Sequence, residues 1–224
     1  MVQKGYFFQF WFFGALILIY LCLPILKKIL NSKRSYLYIL SSLVTIGLVF
    51  ELANMVLQMP LQSYVIQTFR LWTWFFYYIL GGLVAQFDKE IIKKCFKRWM
   101  KVVAVLLLLI SPVILFFLAK TIYHNLFAEY FYDILFVKIV SLGTFLTVLT
   151  FDLNTDKNRW IIYLSNQTMG VFVIHTYVMK VWEKLVGFSF AGAHLLFLIF
   201  TLSVSFIVVG ILMKIPYFNR IVKL

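Results

Sequence analysis

The chain has 224 residues, of which 63% are hydrophobic, 20% aromatic and only 13% charged. A water-soluble domain of that length needs far more polar surface to cover its core, so the composition excludes one and points to a polytopic membrane protein. The net charge of +13 does not mark a nucleic-acid binder, because the basic residues occupy short loops between apolar runs and form no separate basic module.

Taking a span as about twenty apolar residues, the sequence predicts an all-α membrane helix bundle, a single integral membrane domain over residues 1–224. The seven predicted spans are Tyr6 to Leu26, Tyr36 to Leu57, Leu71 to Phe87, Val102 to Leu118, Tyr132 to Phe151, Trp160 to Lys180 and His194 to Met213. The first is too long for a cleavable signal and lacks a small-residue cleavage site. Pro24 and Pro60 fall near span ends, where a missing N–H matters little, and Pro112 lies inside the fourth span. Between the third and fourth spans, Ile91, Ile92, Cys95, Phe96 and Trp99 alternate with lysines at helical spacing. That segment, Asp88 to Lys101, reads either as an interfacial helix on the inner leaflet or as a basic loop that sets topology. Cys22 and Cys95 have no CxxC or histidine company, so neither a disulfide framework nor a metal site is expected.

The loops alternate in charge. One set carries fifteen basic residues: Lys27, Lys28, Lys33 and Arg34; Lys89, Lys93, Lys94, Lys97, Arg98 and Lys101; Lys157 and Arg159; Lys214, Arg220 and Lys223. The other set carries five, namely Lys4, Arg70, Lys120, Lys180 and Lys184. The rich set belongs in the cytoplasm, which places the N-terminus outside and the C-terminus inside.

Inside the spans the ionisable residues are Glu51, Lys138 and His175, with Asp133 at a span end. Hydrocarbon penalises such groups, so each calls for an explanation. At about 1.5 Å of rise per residue, Glu51, Lys138 and His175 all fall about 8–10 Å below the outer surface. Glu51, Asn54 and Gln58 share one helix face by their spacing, and Ser165, Thr168, Phe172, His175, Thr176 and Met179 share another. Glu51, Asn54, Lys138 and Thr168 are the candidate lining of a polar pocket. Such a layer reads in two ways. It can hydrate a cavity and handle a proton; or Glu51 and Lys138 can neutralise each other while His175 hydrogen-bonds across helices. Arg70, followed by Trp72, Trp74, Tyr77 and Tyr78, reads as an interfacial anchor with an aromatic belt. No nucleophile elbow, phosphate loop or HExxH helix is present.

Three segments also carry a family likeness. The first runs from the Trp11-Phe12 pair through Tyr20 to Pro24, and the second is Phe75 to Gly82. The third is Tyr163-Leu164-Ser165 through Gly170, followed by Val171-Phe172-Val173-Ile174-His175; Ile215-Pro216 closes the set. In this order they resemble the later two-thirds of the acyltransferase 3 family, membrane proteins that O-acylate sugars of cell-surface polysaccharides. The resemblance implies transfer of an acyl group, acetyl first among them, from acetyl-CoA or another acyl-CoA on the cytoplasmic side. The acceptor would be a sugar hydroxyl of a surface polysaccharide or its lipid-linked precursor, at a bacterial inner or plasma membrane, with no metal. Membrane lipids and a glycan acceptor are then the expected partners.

His175 matches the family's late-span histidine, with an accessory catalytic role implied, and Phe172 stands where the family has tyrosine. The family's N-terminal Arg and His have no matching position here. The chain is therefore expected to be N-terminally short, and either inactive alone or completed by a missing segment or an oligomer. The alternative is a non-enzymatic transporter or lipid-linked-sugar carrier whose Glu51, Lys138 and His175 line a pathway, although the broken, repeated helices common in transporters are not evident. A seven-span receptor rests on span count alone.

Overall fold

The computed structural model describes residues 10–124, 131–151, 158–188 and 192–216. The first turn of the span expected from Tyr6, and the basic residues Lys4, Lys157, Arg220 and Lys223, lie outside them. Among the described residues every regular element is helical. The chain divides into two compact units, Met1–Phe151 and Asp152–Leu224.

In the first unit, a short connection joins α1 (Trp11–Ile29) to α2 (Lys33–Leu57), and both pack against α3 (Leu71–Val84). The turn between them is set by Ser32, whose hydroxyl accepts from the Ser35 N–H and caps α2. Pro24 was expected near a span end, but α1 continues to Ile29. Proline there deprives only one carbonyl, and Lys27 and Lys28 in the last turn favour the helix terminus electrostatically. On α2 the buried positions Leu40, Gly47 and Asn54 recur every seven residues and face inward. Leu40 packs with Phe76, Ile79 and Leu83 of α3. Gln58 ends α2 in a left-handed conformation with φ 53°, so it leaves the face it was expected to share with Glu51 and Asn54.

The basic segment after α3 contains a short helix, α4 (Lys89–Cys95), capped by the Asp88 carboxylate on the Glu90 N–H. Ile92 and Phe96 are buried while Ile91 and Trp99 are exposed. The long α5 (Arg98–Thr121) contains Pro112 and packs against α6 (Leu135–Leu149). A Cβ at Gly143 of α6 would come within 3.1 Å of the Ala104 Cβ, so small residues set this close approach. The buried hydroxyls of Thr147 and Thr150 donate to the Gly143 and Thr147 carbonyls of their own helix, which removes their hydrogen-bonding cost. Within this unit the helix order brings the lysine-rich termini of α1, α2 and α5, with α4, to one end. The 58–70 loop and the start of α6 lie at the other end.

In the second unit the predicted span from Trp160 to Lys180 is not continuous. It divides into α7 (Arg159–Ser165) and α8 (Thr168–Leu185), joined by a turn at Asn166 and Gln167. The Gln167 side chain is almost fully buried and lies near Gly210 of α9 (Ala193–Leu212), where an added Cβ would meet the Tyr163 hydroxyl at 3.0 Å. The polar run that interrupts the apolar sequence therefore breaks the helix. A fully polar turn inside a helix has weaker propensity and its side chains compete for backbone groups. Helices α8 and α9 pack along Thr201, Ser205 and Val209.

Among the described residues four helices, α1, α2, α5 and α9, are long and apolar enough to cross a membrane, and α3 and α6 are shorter apolar helices. The chain is a multi-pass membrane protein by these helices.

Candidate functional site

The densest polar group in the first unit lies at its lysine-poor end, where the 58–70 loop meets the start of α6. Asp133 is its hub. The carboxylate is 3% exposed and accepts from the Trp72 indole N–H, from the Thr73 hydroxyl at 2.9 Å and from the Lys138 ammonium at 3.0 Å. Lys138 is the fourth residue of α6 and reaches back one turn to that carboxylate, with its charge also over the Phe76 ring at 5.1 Å. Gly47 of α2 lies directly beneath this pair: a Cβ there would collide with the lysine nitrogen, so glycine is required for the pair to sit against α2.

The pairing differs from the expectation that Glu51 and Lys138 neutralise each other. Lys138 is neutralised by Asp133, five residues before it, because α6 begins between them and folds the acid back over its first turn. Glu51, half-buried on α2, instead accepts the Leu135 N–H through Oε2 at 3.0 Å. It thus places a carboxylate at the N-terminus of α6, where free N–H groups and the helix dipole favour negative charge.

Asn54 is 2% exposed, donates to Gln62 Oε1 at 2.7 Å and accepts from the Leu61 N–H at 2.8 Å, which pins the loop onto α2. Arg70 is no interfacial anchor. It is 3% exposed, and its guanidinium donates to the Gln62 carbonyl at 2.9 Å and the Val65 carbonyl at 3.2 Å. The loop turns its carbonyls inward, and a guanidinium with five N–H donors satisfies several at once. The aromatics around it form stacks, Trp11 on Trp74 at 4.5 Å and Phe50 on Trp72 at 4.8 Å. The sequence marked Asp133 only as a span end and Arg70 as surface. The available signals were an acid five residues before an intramembrane lysine, and an arginine flanked by Gln62, Gln67 and Thr68.

Beside this centre, Tyr123 is 3% exposed and its hydroxyl has no hydrogen-bond partner among the described residues. Burial, and next the charge of Glu51, push that hydroxyl up to about 12, so it stays protonated and available as a donor. The Tyr123 side chain belongs to a small core with Ala119, Phe131 and Ile134. A pocket of about 470 Å³ adjoins that core along α5, and the Ser111 hydroxyl in its wall donates to the Leu108 carbonyl.

In the second unit His175 is half-buried on α8, beside Phe172 at 5.9 Å between ring centroids. Its Nδ1 lies 3.2 Å from the Val171 carbonyl. A carbonyl only accepts, so this contact assigns the proton to Nδ1 and leaves the Nε2 lone pair free in the neutral ring. Thr168 is exposed at the start of α8, and its hydroxyl donates to the Leu164 carbonyl at 3.4 Å across the helix break. The structure therefore gathers Glu51, Asn54 and Lys138 at one end of the first unit, while Thr168 and His175 belong to the second. Among the described residues no group of three or more His, Cys, Asp or Glu could hold a metal ion.

Chemically the polar centre divides in two. Asp133, Lys138, Asn54 and Arg70 are engaged by named partners. Within the first unit Glu51 Oε1, the Tyr123 hydroxyl, the Gln67 amide and the Thr68 hydroxyl have no hydrogen bond among the described residues; in the second unit His175 Nε2 has none. A family model described as an acyltransferase domain matches residues 1–213. No curated protein and no solved structure matches the chain.

Proposed function

The chain belongs to the acyltransferase domain family, and from that premise we propose that it is a multi-pass membrane O-acyltransferase. It moves an acyl group, acetyl first among them, from an acyl-CoA thioester to a sugar hydroxyl of a surface polysaccharide or its lipid-linked precursor. The observation that carries this reading is the family match across residues 1–213. The groups with free valences support it, because acyl transfer to a hydroxyl needs a proton acceptor and a donor that can face the developing oxyanion.

In this reading Glu51 accepts the hydroxyl proton through Oε1, while its Oε2 stays held by the Leu135 N–H. The sugar oxygen then bonds to the thioester carbonyl carbon, the carbon–sulfur bond breaks, and the thiolate leaves and takes up a proton. The Tyr123 O–H donates toward the charge that builds on the carbonyl oxygen. Asn54 and Lys138 hold the loop and α6 that position Glu51. The lysine-rich end faces the cytoplasm and the donor, and the polar centre faces outward, in the membrane of a bacterial cell.

The test is transfer of labelled acetyl from acetyl-CoA to a lipid-linked glycan by the purified chain in proteoliposomes. Label should appear in the glycan. Glu51→Gln should lower the rate about a hundredfold or more, the usual scale of a lost general base, and His175→Ala should lower it less. Absence of label together with uptake of the glycan into the vesicles would overturn the reading in favour of a carrier.

A further inference from the structure

The groove of about 470 Å³ between α5 and α6 has no part in the transfer step, yet its walls lead to residues that do. On α5 those walls fall into two stripes with a spacing of four, Ser111, Leu115 and Ala119 in one, Pro112 and Phe116 in the other. From Ser111 to Ala119 the helix rises about 12 Å. One turn past Ala119 comes Tyr123, packed with Ala119, Phe131 and Ile134, its buried hydroxyl without a partner among the described residues. Ile134 precedes Leu135, whose N–H holds Glu51. One turn past Phe116 comes Lys120, exposed in the last turn of α5. The groove therefore ends at the lysine-poor end of the unit, the end that carries Glu51.

This groove is open along its side. Phe116 at its lip is exposed, as are Val113 and Phe117 on the same helix. Because α5 is an apolar helix long enough to cross the membrane, such side chains meet acyl chains, and a molecule dissolved in the bilayer reaches the groove laterally. Little along α5 recognises a polar group there. The Ser111 hydroxyl donates to the Leu108 carbonyl, which Pro112 leaves without its usual helical N–H. Polar recognition begins only at the end, with a cation past one stripe and a free hydroxyl and a carboxylate past the other. A lysine ammonium suits a phosphate as a point charge. The sequence apolar groove, cation, proton acceptor thus matches a molecule that is hydrocarbon, then phosphate, then sugar. A glycan without a lipid would leave the groove empty.

We infer that the α5–α6 groove seats the hydrocarbon chain of a lipid-linked glycan, with Lys120 against its phosphate and its sugar reaching Glu51. The acceptor is then the membrane-bound precursor and not the finished polymer. The inference rests on the acyltransferase reading and goes beyond it by choosing between its two acceptors and naming the residues that hold the chosen one. Chain and phosphate are held alike before and during transfer, so these contacts act on KM and leave kcat nearly unchanged.

The experiment uses the full chain in phosphatidylcholine nanodiscs with acetyl-CoA and two acceptors, a disaccharide joined through diphosphate to a farnesyl chain and the same disaccharide alone. The lipid-linked disaccharide with a diazirine on its chain reports binding by photo-crosslinking, which should label α5 between Ser111 and Ala119. Leu115→Trp, which fills the groove, should raise KM for the lipid-linked acceptor about tenfold or more, the loss of burying about two methylenes. Lys120→Gln should raise it by about two- to fivefold, the scale of an exposed ion pair. Val113→Trp, on α5 outside the groove, should leave it unchanged. An unchanged KM in both groove variants, each with the melting temperature of the parent protein, would overturn the assignment. Displacement of the probe by phosphatidylglycerol as readily as by the lipid-linked disaccharide would also overturn it, making the groove a bilayer-lipid site only. Crosslinking in the groove without acetyl reaching either acceptor would uphold the groove and sink the transfer reaction. Acetyl reaching both acceptors equally well would do the reverse.

Discussion

The two ends of the first unit are built on opposite principles. At the lysine-poor end the polar groups are buried and paired: Asp133 takes three donors, Asn54 both gives and accepts, and Arg70 holds two loop carbonyls. At the lysine-rich end α1 and α3 leave space between them, with Lys27 and Tyr78 at its walls and no hydrogen bond closing it among the described residues. The contrast separates fixing from loose packing. A charged group in a low-dielectric setting with every valence used is a clamp, because displacing it would strand its partners. An open groove walled by apolar side chains and glycine fixes nothing, since no partner is stranded when its walls move.

The contrast can be broken most forcefully at Lys138. Replacing it by methionine strands the Asp133 carboxylate, and loss of one partner of a buried pair costs about 3–5 kcal/mol. Thermal unfolding in detergent should show a large fall, and Lys138→Met with Asp133→Leu should recover most of it, since no charge is then left alone. A single variant that melts like the parent would mean that the pair is not a clamp. Next is Asn54→Ala, which leaves the Gln62 oxygen and the Leu61 N–H without these partners and should destabilise by about 1–3 kcal/mol. The smallest expected effect on stability is Glu51→Gln. Its amide oxygen can still accept from Leu135, so unfolding should move by less than about 1 kcal/mol while acyl transfer collapses. Equal damage to both would return Glu51 to the clamp.

Much of this was legible in the sequence, for reasons that differ from residue to residue. The helices α1, α2, α5 and α9 follow from uninterrupted apolar length, which is a local property. The Asp88 to Lys101 segment was open between a helix and a loop, and it holds the short α4 because Asp88 caps it and Glu90 pairs with Lys93 at 2.9 Å. The family was legible from short strings in order, and the match over residues 1–213 agrees with that resemblance. The break at Asn166 and Gln167 was visible as a polar run, but reading it as a continuous span ignored the weak helix propensity of four consecutive polar residues.

What the sequence by itself determined is the class of molecule: helical, membrane-spanning, with alternating basic loops and an acyltransferase likeness. These depend on hydropathy and charge along the chain, which a neighbouring helix does not alter. Only the tertiary structure decided that Lys138 pairs with Asp133, that Arg70 turns inward and that α1 and α3 leave open grooves lined by Tyr77 and Tyr78. Even where the partners are near in sequence, as with Lys138 and Asp133, the same carboxylate is also held by Thr73, sixty positions away. Partner choice is settled by which faces meet in space, and no periodicity along the chain encodes that directly.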